Sequence, residues 1–203
     1  MTERPAILFD LGGVLIDWNP RHFYRTVFQE EAAMEHFLAT VCTAEWNHAI
    51  DAGRPFEEAV RELQAAWPDY AELIGFWQSR WADMLKGPVA GTVEVLGELK
   101  AQGLTLCALT NWSAETFPLA QERYDFLSWF SRIVVSGVAG LAKPDPAIFR
   151  LALKECGLVA ARTLFIDDVL VNVETARSLG MEAIHFLDPG QLRADLVKRG
   201  LLA

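Results

Sequence analysis

The chain of 203 residues can build one substantial core with a small accessory domain but not two full-sized domains, and its 52% hydrophobic share includes no run near the ~20 apolar residues of a membrane span. A formal net charge of −9, with Lys and Arg scattered along the sequence, excludes a nucleic-acid grip, which needs a basic stripe facing the phosphates. Three widely spaced cysteines in apolar surroundings, Cys42, Cys107 and Cys156, make neither a disulfide framework nor a zinc site. With no cleavable signal in view, we expect a cytoplasmic protein, monomeric or homodimeric.

The first predicted element is Ala6-Ile7-Leu8-Phe9, an apolar run that reads as a strand covered on both faces. It delivers Asp10 and then Leu11-Gly12-Gly13, so a carboxylate stands at a strand's C-terminal end, where open parallel α/β sheets bind their ligands. From about residue 17 to 87 the β-branched runs disappear and aromatics recur at helical spacing. Helices are predicted over 21–28 behind Asn19-Pro20, over 34–38, over 56–63 and over 73–81. Five of the seven tryptophans (Trp18, Trp46, Trp67, Trp77 and Trp81) fall in this stretch, giving a small helical insert a dense core. Beyond Gly87-Pro88 strands and helices alternate: a helix over 93–100 stopped by Gly103, a strand over 104–109, a helix from about 113, and a strand near Ile133. A helix over 146–156 opens at Asp145-Pro146, and a strand over 164–166, a helix over 172–179 and a strand over 183–186 follow. That alternation predicts right-handed crossovers and an α/β fold with a doubly wound parallel sheet, built from residues 1–16 and 88–203.

Polar groups follow the apolar runs. Asp10 ends the first strand, Thr110 and Asn111 follow Leu106-Cys107-Ala108-Leu109, Lys143 lies beyond Arg132-Ile133-Val134-Val135, and Asp167 and Asp168 follow Thr163-Leu164-Phe165-Ile166. In this order and spacing they resemble the haloacid dehalogenase (HAD) superfamily of aspartyl-nucleophile hydrolases, over nearly the whole chain outside the insert. The resemblance implies Asp10 as a nucleophile that forms an aspartyl-phosphate, Thr110 and Asn111 as donors to phosphoryl oxygens, Lys143 as the cation that neutralises nucleophile and phosphate, and Asn172 as a supporting residue. Three close carboxylates repel one another unless a cation sits among them, and a hard oxygen-lined site beside a phosphate suits Mg²⁺. By resemblance its ligands would be Asp10, the Gly12 carbonyl and Asp168, with Asp167 assisting.

The insert's position resembles the helical cap of the superfamily, which closes over the site with hinges expected near Asp17 and Gly87-Pro88. Trp18, Trp46, Asn47, His48, Asp51 and Arg54 are its candidates to face the cleft; with Asn111 and Gly12, we expect Trp18, Trp46 and Arg54 to touch substrate. In one place the chain departs from the pattern. Superfamily phosphatases usually carry a second Asp two residues after the nucleophile, as general acid and base, and here that position is Gly12. The reading is a Mg²⁺-dependent phosphatase acting on a small phosphate monoester such as a sugar phosphate. Gly12 also admits a metal-free 2-haloacid dehalogenase, or a catalytically weak protein that binds a phosphorylated ligand.

Overall fold

Apolar on both faces, Ala6–Phe9 (β1) is suited to the middle of a sheet, and the computed structural model, which describes residues 5–203, places it there. The chain then forms β2 (Ile16–Trp18), β3 (Leu85–Pro88), β4 (Leu106–Thr110), β5 (Arg132–Val135), β6 (Thr163–Asp167) and β7 (Glu182–His185). Five strands make one parallel sheet in the order β5-β4-β1-β6-β7. From β1 the chain builds outward through β4 and β5, then returns to the other side for β6 and β7, so the order reverses at β1. The crevice beyond the strand ends at such a reversal is the natural ligand site, and Asp10 is the residue that enters it.

Alternation along the strands divides the core in two. Ile7 and Phe9 of β1 face a large cluster that includes Val95, Leu99 and Leu192 of helices Ala90–Ala101 and Pro189–Lys198. Leu8, with Cys107 and Phe165 beside it in register, faces a second cluster formed with Phe149 of helix Pro146–Glu155 and Val173 of helix Leu170–Ser178. Asp145 caps the first of these helices by accepting from the Ala147 N–H at 2.8 Å, as Asp145-Pro146 predicts.

Between β2 and β3 the chain folds into helices Arg21–Tyr24, Glu31–Thr40, Ala44–Asp51, Phe56–Ala66 and Ala71–Ser79. Their core is aromatic: Tyr24 lies 5.2 Å from Phe37 and 5.9 Å from Trp77, ring centre to ring centre. The polar tips are satisfied, since the Tyr24 hydroxyl donates to the Leu73 carbonyl at 2.8 Å and the Trp77 indole to Asn47 Oδ1 at 3.1 Å. The structure differs from the sequence reading at five places, one of them helix Ala44–Asp51, where the sequence reading predicts none. The insert is entered and left through an antiparallel ribbon, β2 on β3, whose three- and four-residue strands are too short to show a period of two. The first insert helix stops at Tyr24, and the helix expected from about 113 begins at Phe117, because residues 113–116 form a turn in which Ser113 Oγ accepts from the Glu115 N–H. A final helix, Pro189–Lys198, capped by Asp188, was not anticipated.

Candidate active site

The ends of β1 and β6 and the loop that follows β5 supply the charged cluster. Asp10 continues β1 by donating its N–H to the Ile166 carbonyl at 2.8 Å, while its Oδ1 accepts from the Leu11 N–H at 2.7 Å. This leaves Oδ2 facing Lys143, whose Nζ is 2.9 Å away. The same ammonium lies 2.6 Å from Asp167 Oδ2 at the end of β6. Lys143 is 1% exposed, so its charge is stabilised by these two carboxylates and not by water. Burial pulls its pKa down, but Asp10 and Asp167 outweigh burial and hold it above the ordinary lysine range.

Each charged side chain has a holder. Asn111 grips the Lys143 main chain at two points, accepting from its N–H and donating to its carbonyl, both at 2.9 Å. Asn172 donates to both oxygens of Asp167 at 3.0 and 3.1 Å, and the Val169 N–H adds a third bond at 2.8 Å. Asp167 therefore has both oxygens committed. Asp168 sits against the glycine turn: Gly13 has φ +75°, and a Cβ built there would lie 2.2 Å from Asp168 Oδ2. Only glycine lets the turn come this close to the carboxylate.

Carboxylate oxygens of Asp10, Asp167 and Asp168 all lie within 4.8 Å of one another. Against these three acids the cluster offers one ammonium, leaving two negative charges, the charge of one divalent cation. Burial raises the Asp10 carboxyl well above the ordinary range; Lys143 pulls it back and Asp167 and Asp168 push it up again. Burial, then Asp167, raises Asp168 too. The donor set is all carboxylate oxygen, the chemistry that suits Mg²⁺, and it fits that ion.

A cavity of about 310 Å³ opens over the cluster. Asp10, Gly12, Gly13, Asn111, Lys143, Asp168 and Asn172 line it from the sheet side, and Trp18, Asp51 and Trp81 from the insert. The insert is docked on the loop after β4: Ser136 Oγ accepts from the Trp112 N–H and donates to the Asp51 carbonyl, and Glu115 accepts from the Phe56 N–H at 2.8 Å.

The sequence expectations divide accordingly. Asp10, Gly12, Lys143, Asp168, Asn172 and Trp18 come together at the cavity. Thr110 does not line it; its hydroxyl is buried and finds no partner among the described residues. Asn111 lines the cavity and holds the Lys143 main chain with its Oδ1 and one N–H of its amide, so it positions the lysine and keeps a second N–H. Trp46 and Arg54 do not line it. Trp46 packs on Trp77 at 5.4 Å and donates to the Ala59 carbonyl, while Arg54 pairs with Glu58 and Glu62 on the outside of the insert. Both were drawn to the cleft by residue type alone, and an indole or guanidinium is as useful in a helical core or an ion pair. The sequence reading missed Trp81, taken only as helix packing, and Ser136. A signal for Ser136 existed, since it is the first residue after β5.

Residues 5–180 match the family model for haloacid dehalogenase-like hydrolases, and the chain belongs to that family. It is a hydrolase of HAD type. It is similar, with 29% identity over 92% of each chain, to the sesquiterpene phosphatase astK of Aspergillus oryzae. A HAD-like family hydrolase from Porphyromonas gingivalis shares 25% identity over 98% of both chains, with a TM-score of 0.72. A HAD family enzyme from Bacteroides thetaiotaomicron, solved with magnesium and inorganic phosphate, superposes with a TM-score of 0.66 at 19% identity, covering 92% of this chain and 96% of that one.

Proposed function

We propose that this hydrolase is a Mg²⁺-dependent phosphatase that cleaves a small phosphate monoester through an aspartyl-phosphate on Asp10, with residues 17–87 acting as the cap over the site. The observation that carries the reading is the buried charge cluster at the sheet's reversal point, in which one lysine is shared by two acids and a third acid stands free of it. Phosphatase relatives and a fold relative solved with magnesium and phosphate support it.

Asp10 Oδ2 is the attacking oxygen: Oδ1 is occupied by the Leu11 N–H, while Oδ2 faces Lys143 at 2.9 Å. In attack, Oδ2 forms a bond to phosphorus and the ester oxygen leaves with the bonding electron pair; water then attacks phosphorus and returns Asp10. Lys143 is placed to meet the negative charge on the phosphoryl oxygens, and Asp167, Asn172 and Asn111 keep it there. Asp10, Asp168 and the Gly12 carbonyl would hold Mg²⁺, with Asp167 assisting; when bound, the ion neutralises the acids and polarises a phosphoryl oxygen. The indoles of Trp18, Trp81 and Trp112 line the cavity and offer apolar walls to the organic part, the CH face of a sugar or a terpenoid alcohol.

The test is phosphate release from p-nitrophenyl phosphate with and without Mg²⁺, for wild type and Asp10→Asn, beside halide release from 2-chloropropionate. Metal-dependent phosphate release that vanishes in Asp10→Asn is expected. Metal-independent halide release would instead make the protein a dehalogenase, and silence in both assays with retained phosphate-ester binding would make it a binding protein.

A further inference from the structure

The position that usually holds the general acid is Gly12, yet departure of an alkoxide needs a proton. The insert places one carboxyl on the catalytic cavity. Of the three residues it contributes there, Trp18, Asp51 and Trp81, Asp51 alone can give and take a proton near neutrality. A second cavity, of about 320 Å³, lies within the insert between Trp18, Leu38, Cys42 and Trp77, and the two cavities share Trp18 and Asp51.

That sharing fixes where an ester would break. The phosphoryl group has to reach Asp10 and Lys143 in the first cavity, and the organic group has room in the second. The bridging oxygen then lies between them, at the shared walls. We propose that Asp51, at the junction of the two cavities, is the acid–base residue of the reaction and does the work of the acid absent at Gly12. Its carboxyl protonates the bridging oxygen as the P–O bond breaks, so that the alcohol leaves neutral and Asp51 becomes a carboxylate. The carboxylate then takes a proton from the water that attacks the aspartyl-phosphate, which restores both residues. The inference rests on the phosphatase reading above.

Asp51 is built for one orientation. It closes helix Ala44–Asp51; Asn47 Nδ2 donates to its Oδ2 at 2.9 Å, the Ser113 N–H donates to the carboxyl, and Ser136 holds its carbonyl. Asn47 is itself fixed by the Trp77 indole. Burial pushes the Asp51 carboxyl up to about 7, against the pull of the Ser113 and Asn47 hydrogen bonds. A group with that pKa exists in both protonation states near neutrality, as an acid that becomes a base must. The charged and titratable groups that line the two cavities with it are Asp10, Lys143 and Asp168 on the catalytic cavity and Arg21, Cys42 and His48 on the insert cavity.

The decisive experiment measures kcat/KM with Mg²⁺ for a series of phenyl phosphates whose leaving phenols run from acidic (p-nitrophenol) to basic (p-methoxyphenol), for wild type and Asp51→Asn. Asn keeps the shape and one acceptor oxygen, and a melting curve checks its fold. The loss caused by Asp51→Asn is expected to widen as the phenol becomes more basic, by about tenfold or more across the series, on the way to the ~10²–10⁴ of general acid catalysis. In wild type, kcat/KM for the most basic phenol is expected to fall above a pH of about 7, with a weaker fall for p-nitrophenol. An equal loss across the series, or no loss, overturns the role of Asp51 while leaving the phosphatase reading standing. Absence of Mg²⁺-dependent phosphate release in wild type overturns both. Should the variant not fold, the wild-type pH profiles decide alone: profiles of identical shape for all phenols overturn the proposal.

Discussion

The two walls of the catalytic cavity are built on opposite principles. On the sheet side, buried charges are interlocked: Lys143 with Asp10 and Asp167, Asp167 with Asn172, and Lys143 with Asn111. On the insert side the wall is two indoles and one carboxyl, backed by an aromatic core. Chemistry that must be the same for any phosphate ester suits the rigid side, where one misplaced charge is costly. Shape recognition of a particular alcohol suits the apolar side, where one side chain can be exchanged for another.

The sharpest break of this contrast is Asp10→Asn. It should abolish phosphate release by ~10⁴-fold or more while the protein stays folded, because an amide has no nucleophilic oxygen to spare and removes a charge that burial already disfavours. Lys143→Met comes next. It should lower kcat/KM by ~10²–10³-fold, the scale of one lost electrostatic contact to the transition state. Without metal it should also destabilise the fold by about 3–5 kcal/mol, the usual result of leaving buried carboxylates without their partner; urea unfolding measures this. On the other wall, Phe37→Ala should cost a similar ~3–5 kcal/mol by emptying a fully buried ring site in the insert, yet leave the charge cluster in place. The readouts of these two variants therefore separate: Lys143→Met fails in chemistry and stability, Phe37→Ala in stability.

Metal gives a smaller and pH-dependent effect. Burial raises Asp10 and Asp168 above their unfolded value of 3.8, so the native cluster keeps protons that the unfolded chain releases. Metal-free stability should then fall as pH rises from about 3.8 towards the raised values. Mg²⁺ needs ionised carboxylates, so its stabilisation, ~2.7 kcal/mol at a hundred times Kd, should be larger at alkaline than at acidic pH. Differential scanning fluorimetry with and without Mg²⁺ checks the trend, and Asp168→Asn should remove most of it. The smallest expected effect is at Arg54: its ion pairs are on the outside of the insert, so Arg54→Ala should change stability by less than ~1 kcal/mol and leave kcat/KM where it is.

The same two walls differ in how far they can be read from the sequence. The sheet side is legible because a strand end is a local event: an apolar run followed by Asp10, by Thr110-Asn111 or by Asp167-Asp168 announces itself. What pairs with what is not local: Asn111 holds the main chain of Lys143, 32 residues away, and neither segment alone announces the pair. The insert side is harder. Aromatics at helical spacing give most of its helices but not which indole faces the cleft: Trp18 and Trp81 line the cavity, while Trp46 packs on Trp77. Short elements escaped too, since β2 and β3 are held by each other and not by any pattern of their own.

The central claim is that Asp10 carries the phosphoryl group during turnover. It is tested most directly by acid-quenching wild-type enzyme during steady-state turnover of p-nitrophenyl phosphate with Mg²⁺ and mapping the modified peptide by mass spectrometry. A phosphoryl group on Asp10, absent when Asp10→Asn is treated the same way, is the predicted result. Phosphate release that continues in Asp10→Asn, or a phosphoryl group found on another residue, would contradict the account.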